Sequence, residues 1–211
     1  MNAPTARSPR KAKGQGAERR EEILAAALKL FTEFGVYAVS TRQIAQAVGI
    51  SQPTLYAYFP TKDDIGKELR ERAFALLART LDERGHGAID TREDLARLLR
   101  LYVDFGLENP DMYRMAFMEG AGVAGGAAWS QEMVLSPAVQ STYGMLFQKI
   151  SGLHARGLTV DVDPQTLTQT VWAAKHGLVS LLISKPGFPW VEREHLIRSH
   201  MDVIARGVWR A

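Results

Sequence analysis

The segment from Gln52 to Tyr58 concentrates polar side chains that could bind another molecule through hydrogen bonds. Its outward positions are predicted to be Gln52, Thr54, Tyr56 and Tyr58, whereas Leu55 is predicted to turn inward. Their amide and hydroxyl groups both donate and accept hydrogen bonds. On one face of a helix, such groups suit the edges of nucleic-acid bases and the phosphates beside them.

A short helix is predicted before this segment, because a cap begins it and a glycine ends it. Ser40 can cap the helix, and Gln43 completes an S-x-x-Q capping box. Gly49 stands where the helix must stop. The pattern predicts a helix from about Thr41 to Val48.

The segment itself is predicted to be a second short helix, from about Gln52 to Tyr58. Ser51 can cap this helix, and Pro53 lies in its first turn, where the missing N–H of proline is not needed. Pro60 prevents the helix from continuing.

The two short helices have the spacing of a helix-turn-helix. Counted from Thr41, Ala45 is fifth, Gly49 ninth, Ile50 tenth and Leu55 fifteenth. The motif needs a small residue where the helices cross, a turn residue that tolerates positive φ, and apolar residues that hold the second helix. These requirements are met together, which predicts a module that docks on duplex DNA.

The stretch STRQIAQAVGISQPTLYAYFPTKDDI resembles the DNA-binding signature of the tetracycline-repressor (TetR) family, and ILAAALKLFTEFG resembles the helix before it. This resemblance covers about Glu18 to Arg84. A second patch, with Trp172, His176 and Gly177 in VWAAKHGLVSLL, resembles a C-terminal ligand-binding and dimerisation domain of one branch of that family.

The resemblance implies DNA contacts at specific residues. The major-groove face would be formed by Gln52, Pro53, Thr54 and Tyr56. Phosphates would be bound by Thr41, Arg42, Tyr58 and Lys62, with Arg42 also within reach of a groove edge. Alternatively, Tyr56 or Tyr58 packs a ring face on the first helix, and Arg42 is an ordinary solvated charge.

The composition is that of a folded protein with a basic N-terminal part. Of 211 residues, 46% are hydrophobic and 23% are charged, which is close to the average for globular proteins. Residues 1–62 carry nine Lys or Arg against four Asp or Glu, a net charge of +5, and the remainder carries −2. A basic module on a slightly acidic body is typical of proteins that contact phosphate.

Several classes of protein are disfavoured by what the sequence lacks. It contains no cysteine, which excludes disulfides, thiolate metal sites and cysteine nucleophiles. No stretch approaches the roughly 18 apolar residues of a membrane span, and no apolar leader is visible. A cytoplasmic protein without membrane association is therefore expected.

Helical spacing elsewhere predicts an all-α fold, in which a three-helix helix-turn-helix domain precedes a helical ligand-binding and dimerisation bundle. The expected organisation is a disordered basic arm at 1–16, a DNA-binding domain at 17–62 and a bundle at 63–211. Ala121 to Ala128 is expected to be a loop. Further helices are predicted at about Thr61–Glu83, Arg92–Glu108, Pro110–Met118, Trp129–Leu153, Pro164–Ser184 and Val191–Val208, with caps at Thr91, Asn109 and Asp163.

One recognition helix touches few bases, so a homodimer on a palindromic operator is expected. The last two helices are the candidate interface, because their apolar residues cover a wide arc. These residues are Leu167, Val171, Trp172, Ala174, Leu178, Val179, Leu181, Ile183, Val203, Ile204 and Val208. Alternatively, part of this set forms an intramolecular core.

Aromatic and methionine residues of the body could line a pocket for an apolar or amphipathic effector. For any one of them, ordinary core packing is the alternative, and for His176 close helix packing beside Gly177 is preferred. The candidate pocket residues are Tyr102, Phe105, Met112, Tyr113, Phe117, Met133, Tyr143, Phe147, Trp172 and His176.

Other classes of function fit the sequence less well than a regulator. Because no G-x-S-x-G, H-E-x-x-H or apolar pair of carboxylates occurs, an enzyme is not expected. His195 and His200 are five residues apart, off the spacing of a helical metal pair, and no metal or cofactor is expected. A DNA-binding protein that acts without a ligand, or an activator, remains an alternative to a ligand-released repressor.

Overall fold

A computed structural model describes residues 16–118 and 137–210, and their regular structure is α-helical. An isolated antiparallel bridge joins Thr159 and Trp209. The described residues divide into two compact units. The first unit contains residues 16–73 and 111–118, and the second contains residues 74–110 and 137–210.

The helices follow in chain order. They are α1 (Gly16–Phe34), α2 (Thr41–Val48), α3 (Gln52–Tyr56), α4 (Lys62–Arg84), α5 (Arg92–Glu108), α6 (Pro110–Tyr113), α7 (Pro137–Ala155), α8 (Pro164–Ser184) and α9 (Arg193–Val208). A π-helical turn, Arg114–Met118, directly follows α6. No helix in these two described ranges is long and apolar enough to cross a membrane.

The first unit is built around α1, which packs on α2 and on the π-helical turn, while α2 packs on α3. Burial of apolar area is the main favourable term that holds such short helices in place. The completely or almost completely buried residues of this core include Ile23, Ala27, Phe31, Ile44, Ala45, Leu55, Phe59, Ile65 and Met115.

The second unit packs α5 on α8 and α9, and α8 on α7 and α9. Its core includes Leu95, Leu99, Val103, Ile150, Val179 and Ala205. Ion pairs also join its elements: Arg100 of α5 binds Glu194 of α9, and Arg156 binds Asp90.

Where residues close in sequence determine a helix end, the observed boundary agrees with the sequence prediction. The predicted bounds of α2, α5 and α8 are confirmed to the residue. Thr91 caps α5 through a box with Asp94, and Asp163 caps α8 by accepting a hydrogen bond from the amide of Thr166, at 2.9 Å. These signals lie within one turn of the helix end, so the sequence contains them completely.

The third helix is shorter than predicted, because it ends at Tyr56 and not at Tyr58. The amides of Tyr58 and Phe59 both donate to the carbonyl of Leu55, at 2.9 and 3.0 Å. This tightens the last turn before Pro60, whose ring disfavours helical conformation at the residue before it.

Asn109 also differs from the prediction, which made it the N-terminal cap of the helix at Pro110. It ends α5 instead, since both its amide and its side-chain Nδ2 donate to the carbonyl of Phe105, at 2.9 and 3.0 Å. The last helix begins at Arg193, two residues later than predicted, because the carboxylate of Glu192 accepts from the amides of Glu194 and His195.

Some expectations fall outside the described residues. They are most of the arm at 1–16, the loop from Ala121 to Ala128, the first part of the helix predicted from Trp129, and Met133. The described part of that helix is α7, which continues two residues beyond the predicted end at Leu153.

The apolar stripe expected to face a second subunit lies mostly in the core of its own unit. The prediction is wrong for its buried members, because α8 packs against α5, α7 and α9 of the same chain. They are Leu167, Val171, Leu178, Val179, Ile183 and Val208. By contrast, Leu181 is 48% exposed and Val203 is 66% exposed.

Candidate nucleic-acid interface

The turn between α2 and α3 has the geometry that the sequence predicts. Ser40 accepts a hydrogen bond from the amide of Gln43, and its own amide donates to Oε1 of Gln43 at 2.8 Å. Gly49 has φ 71°, in the left-handed region where a side chain would be strained. The amide of Ile50 then donates to the carbonyl of Ala45 at 2.9 Å, which closes α2.

Helix α3 is anchored on its buried side by Leu55 and capped at its N-terminus by the hydroxyl of Ser51. Leu55 is completely buried in the core of the first unit. Ser51 caps the helix, since its Oγ accepts from the amide of Thr54 at 3.2 Å, and its hydroxyl also bonds that of Thr54 at 2.7 Å. Pro53 and Thr54 are exposed beside it. The helix is therefore positioned before any partner binds.

Thr41, Gln52 and Tyr56 form a hydrogen-bonded cluster that links the start of α2 to α3. Nε2 of Gln52 donates to Oγ1 of Thr41 at 3.0 Å and to the hydroxyl of Tyr56 at 3.2 Å, and the two hydroxyls are 3.2 Å apart. The bond with Thr41, followed by that with Gln52, lowers the pKa of Tyr56 below its ordinary value. Because Tyr56 is 44% exposed, the cluster lies at the surface.

Arg42 is exposed next to this cluster. Its guanidinium has no hydrogen-bond or ion-pair partner within residues 16–118 and 137–210. It presents five N–H donors in a planar fork that matches phosphate oxygens.

Tyr58 and Lys62 are less available than the prediction of phosphate binding assumes. Tyr58 is half-buried and packs against the core of the first unit. The ammonium of Lys62 donates to the carbonyls of Val36 and Val39, at 2.8 and 2.9 Å, which anchors the loop between α1 and α2. Phosphate binding by these two residues stays a prediction, and the geometry also makes them structural.

Arg20 of α1 was not singled out from the sequence, yet it holds the chain directly after α3. Its Nη1 donates to the carbonyl of Tyr58 at 2.9 Å, and its guanidinium lies 4.1 Å from the ring centroid of Phe59. Its Nη2 pairs with Glu68 of α4, and Glu68 also pairs with Arg72 at 2.7 Å. The only sequence signal is that basic residues lie on a predicted helix before the motif.

Arg19 holds α2 in a comparable way. It is buried, and it pairs with Glu22 at 2.8 Å and donates to the carbonyl of Val48 at 3.4 Å. The guanidinium therefore lies at the C-terminal end of α2, where the helix dipole favours a positive charge.

The candidate pocket residues are divided between the two units. Met112, Tyr113 and Phe117 belong to the first unit, where the rings of Tyr113 and Phe117 are 4.8 Å apart. The second unit contains Tyr102, Phe105, Tyr143, Phe147, Trp172 and His176. In it, Tyr143 stacks on Phe147 at 6.5 Å between ring centroids, and the rings of Trp172 and His176 are 6.2 Å apart.

Lys175 is a further residue that the sequence pattern did not single out. It is buried in the second unit, with its ammonium 4.7 Å from the ring centroid of Tyr102. Desolvation lowers its pKa to about 7. The available signal is that Lys175 is the only Asp, Glu, Lys or Arg in the sequence of α8.

Comparison with known proteins decides the family. Residues 23–69 match the family model described as "Bacterial regulatory proteins, tetR family", and residues 95–204 match the model described as "Tetracyclin repressor-like, C-terminal domain". The chain belongs to the TetR family. Members of this family are DNA-binding transcriptional regulators with a helix-turn-helix, and such regulators are not enzymes.

Individual relatives of this TetR-family chain include a transcriptional regulator and a nucleoid occlusion factor. The HTH-type transcriptional regulator RutR of Escherichia coli O157:H7 is 29% identical over 162 residues, or 74% of this chain and 71% of RutR. The nucleoid occlusion factor SlmA of Actinobacillus pleuropneumoniae is 29% identical over 116 residues, or 54% of this chain. The match spans 56% of the length of SlmA, about half of that relative.

Solved TetR-family structures have the same fold. A regulator from Rhodococcus RHA1 superimposes with a TM-score of 0.76 at 17% identity, covering 92% of this chain and 98% of that one. The regulator PfmR of Thermus thermophilus gives a TM-score of 0.69 at 25% identity, covering 89% and 99%. The closer resemblance of Trp172, His176 and Gly177 to one branch of the family stays a prediction.

Proposed function

We propose that this regulator is a ligand-responsive repressor that binds a palindromic operator as a homodimer and releases it when a small apolar or amphipathic effector binds. The observation that carries the proposal is the surface cluster in which Thr41 of α2 bonds Gln52 and Tyr56 of α3, the helix whose buried side is anchored by Leu55. A fixed helix with exposed polar groups is what reading of the major groove requires.

The DNA contacts are divided between base reading and phosphate binding. Gln52, Thr54 and Tyr56, with Pro53 beside them, face the bases. Thr41 and the exposed guanidinium of Arg42 bind phosphate, and Arg42 supplies the charge that releases counter-ions from DNA. Tyr58 and Lys62 hold the motif in shape and reach phosphate with the hydrogen-bonding groups that remain.

The dimer interface is formed by the outer faces of α8 and α9. Leu181 and Val203 are the large apolar side chains exposed there within the helices themselves. Gly207, which is also exposed, lies one helical turn after Val203 on α9. Two such helices from each subunit pack as a four-helix interface about a twofold axis.

The effector acts by shifting a population between two conformations of the body. Helix α4 contributes its first half to the unit that contains the helix-turn-helix and its second half to the other unit. In the proposed mechanism, the effector favours a body conformation in which α4 moves and the two recognition helices no longer match the spacing of the half-sites.

A second candidate function is DNA binding that does not respond to a ligand, as in chromosome organisation. The observation in its favour is that relatives matching half of the chain are named nucleoid occlusion factors. The domain match at residues 95–204 favours the ligand-responsive function, because it extends the likeness to a repressor-type C-terminal domain.

The decisive experiment selects bound duplexes from a random DNA pool and then screens metabolites for release of the selected site. We expect a palindromic site, and at least one metabolite that weakens binding in gel-shift titrations. Arg42→Ala should weaken binding to that site, whereas Arg79→Ala, on the exposed part of α4, should not. A selected site without twofold symmetry, or unchanged binding across the whole screen, would contradict the proposal.

A further inference from the structure

Lys175 is the buried charge in the second unit that the proposed DNA contacts leave unused. Its side chain is 5% exposed, and the one contact of its ammonium among the described residues is the face of Tyr102. Across the described part of the chain, no carboxylate, carbonyl or hydroxyl pairs with this ammonium.

A buried ammonium without a counter-ion is costly, because it loses its hydration and gains nothing of equal strength in return. The face of an aromatic ring offsets only part of that cost. Burial accordingly lowers the pKa of Lys175 to about 7. A position that only required packing would be filled better by an apolar side chain of similar size.

Two hydroxyl groups of the second unit are also buried without a partner among the described residues. The hydroxyls of Tyr143 and Ser151 on α7 are buried, and neither has a hydrogen-bond partner among the described residues. They are eight residues apart on α7, a separation of about two helical turns. Because α7 packs on α8, buried donors that the described residues do not satisfy occur on two neighbouring helices of one unit.

The surroundings of Lys175 define the chemistry of a ligand that would satisfy it. Its neighbours one helical turn away are Val171, Trp172, Leu178 and Val179, which are apolar. One cation balances one negative charge, whereas a phosphate monoester carries nearly two at neutral pH. A ligand with one carboxylate group and an otherwise apolar structure fits these surroundings.

We propose that the second unit binds an amphipathic monocarboxylate whose carboxylate takes the ammonium of Lys175 as its counter-ion. As part of the same proposal, the hydroxyls of Tyr143 and Ser151 on the neighbouring helix α7 would donate to that ligand. This inference rests on the proposed ligand-responsive function and specifies the class of its effector. Binding gives the buried charge a partner that the described residues do not supply.

The test uses calorimetric titration of the full chain with octanoate, decanoate and dodecanoate, and with the primary alcohol and alkyl phosphate of each length. We expect the carboxylates to bind at least about tenfold more tightly than the alcohols and the phosphates. Lys175→Met should remove the preference over the alcohols, while Lys185→Met, an exposed lysine at the end of α8, should keep it.

A second measurement does not depend on a variant. At pH 8 the amine of Lys175 is mostly neutral, so pairing with a carboxylate should take up about one proton per ligand. Titrations in two buffers of different ionisation enthalpy measure this uptake. The nearest titratable side chain on the same helix is His176, and a matched titration of Lys175→Gln separates its contribution.

The outcomes separate this inference from the proposed function. If wild-type protein binds none of the carboxylates, prefers the phosphates, or binds without proton uptake, the assignment of Lys175 is wrong. If Lys175→Met binds the carboxylates as tightly as wild type, it is also wrong. If the carboxylates bind as expected but leave operator affinity unchanged in gel shifts, the site stands and the ligand-responsive function fails.

Discussion

At the scale of single residues, the orientation of the side-chain amide of Gln52 decides which of its atoms is left to bond a base in the proposed complex. Because Nε2 of Gln52 donates to Thr41 and Tyr56, its Oε1 remains the group that can accept a hydrogen bond from outside. An acceptor at this position selects an amino group in the major groove, which adenine and cytosine present. Under the proposed base contacts, the hydroxyl of Tyr56 would act on specificity partly through Gln52.

Replacing Gln52 should change which sequence is bound more than how tightly DNA is bound in general. We expect Gln52→Ala to lose about 1 to 3 kcal/mol of discrimination at one base pair in each half-site. Titration of operators with single base-pair changes measures this loss. Gln148→Ala, an exposed glutamine on α7, is the control, and equal discrimination by Gln52→Ala and wild type would remove Gln52 from the base contacts.

At the scale of elements, α1 and α4 together hold α3 and the residues directly after it by charged groups as well as by apolar packing. Glu68 of α4 pairs with Arg20 and Arg72, and Arg72 also bonds Glu21 of α1 at 2.7 Å. Glu21 lies on the exposed side of this network, where its hydrogen bond to Arg72 lowers the pKa of Glu21. Arg20 is the member that reaches the backbone after α3.

Arg20→Met should therefore destabilise the helix-turn-helix. The change removes the bond to the carbonyl of Tyr58, the pair with Glu68 and the contact with Phe59, for a loss of about 1 to 3 kcal/mol in the free energy of unfolding. Urea denaturation and gel shifts should show reduced stability and weaker operator binding. The control is Glu21→Gln, which weakens only the exposed pair with Arg72 and should lower the free energy of unfolding by less than about 1 kcal/mol. Equal effects of the two variants would refute a special role for Arg20.

At the scale of the whole molecule, the proposed dimer depends on side chains that the chain does not bury by itself. We expect the double variant Leu181→Glu and Val203→Glu to be folded but monomeric, because each site is exposed in the single chain. Sedimentation measures the mass, and gel shifts should show loss of operator binding. Val162→Glu, at an exposed valine outside the helices, should remain dimeric, and a dimer formed by the double variant would place the interface elsewhere.

Lys175 should make the stability of the whole molecule depend on pH. Its pKa is about 7 in the fold and near its ordinary value of 10.5 when unfolded. Between these values the unfolded chain binds more protons, so the contribution of Lys175 to stability increases as pH rises. Thermal unfolding between pH 7 and 10 should show this increase in wild type and a smaller one in Lys175→Met. Identical profiles would show that Lys175 is charged and compensated in the folded protein.

Much of the local architecture follows from the sequence, because its causes lie within a few residues. The capping box of Ser40 and Gln43, the left-handed turn at Gly49 and the cap at Asp163 are all recognisable from residue types and spacing. The buried positions Ala45 and Leu55 follow from the same spacing. The family match confirms the regulator that this pattern predicts.

Only the tertiary structure decided which polar groups are already engaged and which remain available. Lys62 bonds carbonyls 23 and 26 residues away, and Arg20 bonds a carbonyl 38 residues away. Because these partners are so far apart along the chain, no periodic pattern in the sequence indicates that they are in contact. The same reason explains why an apolar stripe on α8 could not be assigned to its own core or to a partner before its packing was known. Thus the sequence alone determined the helix-turn-helix, while the fold showed that Arg42 is unpaired within the described residues and that Lys175 is buried without a counter-ion there.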